Sequence, residues 1–82
     1  MEKIKDVISQ GLEISDELII YALAEVCNRG DLMIIKSDGL RDSSKYTVVI
    51  SGGKNIFPSI RFDRETLPEA ITKALTEYLK FI

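Results

Sequence analysis

Ser51-Gly52-Gly53-Lys54-Asn55 is the one run in this chain with the makings of a phosphate cradle, because glycines followed by lysine close many nucleotide-binding loops. Such a loop needs glycine, four residues, then Gly-Lys-Ser/Thr, set between a strand and a helix. Here the residue five before Gly53 is Val48, and Asn55 stands where a magnesium-binding hydroxyl belongs. A strand pattern follows, so no helix N-terminus is aimed at the loop. The expectation is a hairpin turn whose two glycines take positive φ. Neither a nucleotide nor any other cofactor is expected.

Other reactive chemistry has few residues to use. The sequence holds no histidine and one cysteine, Cys27, so Ser-His and Cys-His pairs and a zinc site are ruled out. Cys27 falls late in an apolar helical stretch, where a thiol acts as a small buried hydrophobe. Asp63 and Glu65 are the closest acid pair, but they precede a helix start, where acids are favoured by the helix dipole. Asp38 and Asp42 fall in a hairpin loop, and Asp38–Tyr46 lacks the alternating acids and closing glutamate of a calcium loop. The sequence therefore predicts no catalytic residue and no metal ligand, hence a binding protein and not an enzyme.

Charge suggests one alternative. Residues 1–31 carry three basic and seven acidic side chains, residues 32–62 five and two, and residues 63–82 three and four. Lys36, Arg41, Lys45, Lys54 and Arg61 make the middle third basic, with Tyr46 or Phe57 as rings on which a base could stack. A nucleic-acid-binding sheet is thus a second reading. The overall net charge of −2 favours cations spread for solubility over a binding track.

The elements that position these residues follow from periodicity. Met1–Gln10 reads as a short helix on Ile4, Val7 and Ile8, ending at Gly11. Ser15 caps a second helix with Asp16 and Glu17 in its first turn; it runs to about Asn28 and stops at Gly30. That helix has almost no polar face, so it is either buried on two sides or meets another protein. Leu32–Ser37, Lys45–Ser51 and Ile56–Phe62 read as strands, and Pro58 assigns the third to an edge or a bulge. Thr66 and Glu69 form a capping box with Pro68 in the first turn, and Leu67, Ala70, Ile71, Ala74, Leu75, Tyr78, Leu79 and Ile82 form the buried stripe. The result is one α+β domain over residues 1–82, a three-stranded antiparallel sheet packed against helices in the order α-α-β-β-β-α.

Eighty-two residues support only a small core. With the apolar surplus of the second helix, this predicts a homodimer. A lone cysteine, no leader-like pattern at Met1–Gln10 and no long apolar run predict a cytoplasmic protein without a membrane span. Period-two alternation puts Ile56, Ile60 and Phe62 on one face of the third strand and Phe57 and Arg61 on the other. Unless the first helix folds over it, this second face is open, with Val49 and Met33 added. Phe57 and Arg61 are then the expected partner-binding anchors, rimmed by Lys36 and Lys54.

The segment YTVVISGGKNIFPSIRFDRETLPEAITKALTEYL, Tyr46–Leu79, resembles short phage and prophage accessory proteins in which a hairpin precedes a "TLPEAI…AL" capped helix. The resemblance implies a small inhibitor or adaptor that occupies a surface of a host protein. It transfers no catalytic residue.

Overall fold

The computed structural model describes Glu2–Ile82; Met1, where the expected first helix begins, lies outside these residues. Helix α1 (Glu2–Gln10) buries Ile4 and Val7, three residues apart on one face. Gly11, at φ +56°, opens a 3-10 turn over Gly11–Glu13. Helix α2 (Asp16–Asn28) starts where Ser15 Oγ accepts the Leu18 amide at 3.2 Å and ends before Gly30, at φ +85°. Strands β1 (Leu32–Ser37), β2 (Tyr46–Ser51) and β3 (Ile60–Arg64) form an antiparallel sheet in the order β1-β2-β3. Helix α3 (Leu67–Leu79) begins at Thr66, whose hydroxyl accepts the Glu69 amide at 3.3 Å.

The register sorts the sheet into two faces. Ile35, Val48 and Phe62 align across the three strands, as do Met33, Ile50 and Ile60. These six belong to the core, together with Ala22 and Val26 of α2 and Ala70, Ile71, Ala74, Leu75 and Tyr78 of α3. α3 lies across β2 and β3, α2 lies against β1, and α1 packs on α2 and α3. The helices therefore all line one side. Leu32, Ile34 and Lys36 of β1, with Thr47, Val49 and Ser51 of β2 and Arg61 and Asp63 of β3, make up the other.

The α+β architecture and its element order match the sequence expectation, but several placements differ. α2 is not enclosed: it buries only Ala22 and Val26 fully, while Ile20 is 64% exposed and Cys27 is exposed. Met33 faces the core, because its partner across the ladder is Ile50. The third strand starts at Ile60, four residues later than its pattern suggested, and Ile56 stands in solvent. α1 does not reach the open face, since its apolar stripe is used against the other two helices.

Candidate functional site

The face of the sheet turned away from the helices is the candidate interaction surface. Ile34 and Val49 are directly paired across the ladder, with Leu32 two residues from Ile34 on the same face. Leu32 is 50% and Ile34 48% exposed. Alternation in β1 produces this patch: Met33 and Ile35 serve the core, so the equally apolar residues between them must face outward.

At one end the patch meets a polar network. Asp63 binds Arg41 Nη1 at 2.9 Å and Arg61 Nε at 3.2 Å, and it accepts the hydroxyl of Thr47. Arg61, then Thr47 and Arg41, hold its carboxyl well below the usual carboxylate range, against a smaller opposing effect of burial. Arg41 also donates to the Ser44 carbonyl at 3.1 Å and lies 3.4 Å from Asp38. The β1–β2 loop is thereby pinned onto the open face, and this buries Thr47. Lys36 Nζ lies 3.7 Å from Asp38. Glu65 accepts the Ser44 amide at 2.5 Å, so both members of the Asp63/Glu65 pair hold loop and strand together.

The Ser51–Asn55 motif has a different role from the turn its sequence suggests. Neither Gly52 nor Gly53 has positive φ. A Cβ on Gly52 would strike the Asn55 carbonyl, and one on Gly53 would strike that of Gly30. These glycines permit close approach of backbones: the loop lies on the α2–β1 junction, where the Lys54 amide donates to Gly30 O at 2.9 Å.

Asp31 is the centre of this junction. It is 8% exposed and accepts the Tyr78 hydroxyl at 2.6 Å, Asn55 Nδ2 at 2.9 Å and the Gly53 amide at 3.1 Å. Burial pushes its carboxyl up, but the bonds from Tyr78, Asn55 and the Gly53 amide together outweigh this and hold it low. Burial first, and then the hydrogen bond to Asp31 and its charge, push the Tyr78 hydroxyl upward.

This docking moves one expected anchor, Phe57, and one expected rim residue, Lys54. Phe57 does not share a face with Arg61: it leaves the loop toward α3, its ring 5.7 Å from Tyr78 and stacked on Phe81 at 5.4 Å. Alternation could not locate it, because residues 56–59 are not in the strand. Lys54 is separated from the patch as well, its stem lying over Gly30. Arg61 and Lys36 are on the open face as expected. The sequence reading missed Asp31, and it named Tyr78 only as part of the buried stripe and Arg41 only as a cation of the basic sheet; an acid immediately after a helix-stopping glycine and before an apolar strand was the available signal for Asp31.

Among the described residues no group of three or more His, Cys, Asp or Glu could hold a metal ion, and no helix is long and apolar enough to cross a membrane. No protein-family model, curated protein or solved structure matches the chain.

Proposed function

We propose that this is a non-enzymatic binding protein whose open sheet face occupies a surface of another protein, in the manner of a small phage-type inhibitor or adaptor acting in the cytoplasm. The observation that carries this reading is the adjacent exposure of Leu32 and Ile34, beside Val49, on a face that no described helix covers. Apolar side chains grouped in the open, with an arginine at the margin, have the composition of a protein contact. Arg61, paired across the ladder with Val49, flanks them at 55% side-chain exposure, and Lys36 stands two residues along β1 from Ile34.

The nucleic-acid reading is less well supported. A phosphate track needs cations free of local anions, yet Arg41 and Arg61 share Asp63 and Lys36 lies beside Asp38.

The test uses the wild-type chain and Ile34→Asp as baits in a quantitative affinity capture from host lysate. Ile34 is half exposed and outside the core, so the variant should fold with an unchanged circular dichroism spectrum. A partner retained by wild type and depleted at least about tenfold by the variant, a difference of about 1.4 kcal/mol, is the expected result. Equal retention by both baits refutes the assignment to this face. Recovery of nucleic acid with binding that falls steeply in salt would favour the alternative.

A further inference from the structure

β3 is an outer strand of the sheet, and no described element pairs with its far side. An edge strand leaves backbone N–H and C=O groups aimed outward, a template for another extended chain. Along this edge a cavity of about 260 Å³ opens between the strand and the last turns of α3. Ile60 and Phe62 of β3, with Pro58 just before it, form one wall, and Glu77 of α3 with Phe81 just after it forms the other. Phe81 is 45% exposed yet held in place by its stack on Phe57. Arg61 stands at the lip.

We propose that this groove takes an extended peptide segment of a partner protein, which adds to β3 as a fourth strand and seats one large apolar side chain between Phe62 and Phe81. Backbone pairing would supply affinity and the groove would select alternate side chains, as in other strand-addition sites. The cavity falls below the roughly 300–1,000 Å³ of small-molecule pockets, and its size suits one side chain. The acid on the helix wall, 2.8 Å from the Lys80 ammonium, defines one neighbour. A lysine or arginine two positions from the anchor, on the same side of the peptide, would take the place of Lys80 beside Glu77.

A second copy of the chain does not fit. With its helices on the same side, its β3 would present Ile60 and Phe62, and its β1 Met33 and Ile35, all of which are packed in its own core. Turned over, β3 would offer only charged side chains, Arg61 or Asp63, to the apolar anchor position between Phe62 and Phe81. A turned-over β1 would join β3 head to tail, which builds a ring or a filament and not a two-fold dimer. The occupant is therefore a segment with no core of its own. This surface is separate from the open sheet face and stands or falls independently of the function proposed above.

The test selects heptapeptides from a display library against the full chain and synthesises the most enriched one. Its sequence should carry an apolar anchor with a basic residue two positions away. Amide resonances of Ile60–Arg64 should shift on titration and gain protection from exchange. Methylating alternate peptide nitrogens should cost at least tenfold in affinity, as should Phe81→Ala, while Ile34→Asp leaves affinity within twofold. Should Phe81→Ala fail to fold, Glu77→Lys must reverse the preference for the basic residue. No enrichment above library background, shifts centred on β1 or on the open face, or full tolerance of backbone methylation would each overturn the proposal.

Discussion

Among the described residues no cation forms an ion pair with Asp31, yet it is buried at the junction between α2, the Ser51–Asn55 loop and α3. Such a charge persists only if donors surround it, and Tyr78, Asn55 and the Gly53 amide supply them. Tyr78→Phe keeps the ring but removes the shortest of these bonds. A hydrogen bond to a charged group contributes about 1.5–3 kcal/mol, so the variant should lose that much at pH 7. The loss should depend on pH. Because the folded-state pKa of Asp31 is lowered, its stabilising effect is complete above the unfolded value of about 3.9 and disappears as pH falls through the folded one. Urea titrations should therefore give a large difference between wild type and Tyr78→Phe at pH 7 that shrinks below about pH 4. A difference that stays constant over that range would mean the hydroxyl does not act through the Asp31 carboxylate.

At the scale of elements, the sequence was informative wherever the signal was local. The Ser15 and Thr66 caps, the Gly30 stop and the α3 stripe depend on residues within a turn or two of each other, and each is where the pattern put it. Pro58 pointed to an edge or a bulge; β3 is an edge strand, but it begins two residues after Pro58, so the proline is not part of it. The loop before β3 was not legible. Its path is set by Gly53 and Asn55 reaching Asp31, more than twenty residues away, and period-two alternation carries no information about such a contact. Ile56 and Phe57 exchange roles as a result, one entering solvent and the other joining Tyr78 and Phe81. An open face was expected only if the first helix left it uncovered, and of the four residues expected there Arg61 and Lys36 lie on it. Phe57→Ala consequently becomes a stability variant. A half-buried phenylalanine with two ring contacts should cost about 2 kcal/mol, toward the low side for large-to-small changes, as a shifted urea midpoint. The capture of a partner through Ile34, measured per folded molecule, should be unchanged. If Phe57→Ala abolished that capture with no shift in midpoint, the open face would not be the contact.

For the molecule as a whole the decisive quantity is how little stability a chain of this size can hold. An 82-residue domain has roughly 3–5 kcal/mol to spare, and α2 leaves Ile20, Ala24 and Cys27 exposed in one stripe at spacings of four and three. Burying that stripe against a second copy would raise the stability of both chains. A two-fold contact must be self-complementary, and the charges on α2 allow it. Its first turn carries Asp16 and Glu17, while Arg29 follows its last residue and Lys54 lies over Gly30. Antiparallel pairing of two α2 helices, with Ile20 of each against Cys27 of the other, sets the acidic end of one beside the basic end of its partner. The prediction is a homodimer whose dissociation constant rises with salt, because exposed pairs at such ends are screened. Sedimentation from low to high micromolar concentration should show a monomer–dimer transition, and Ile20→Lys, which puts a charge in the centre of the stripe, should leave only monomer. The urea midpoint of the wild type should then rise with protein concentration, and that of Ile20→Lys should not, since only association links stability to concentration. A wild-type chain that stays monomeric at high micromolar concentration would end this proposal and leave the α2 stripe as ordinary exposed surface.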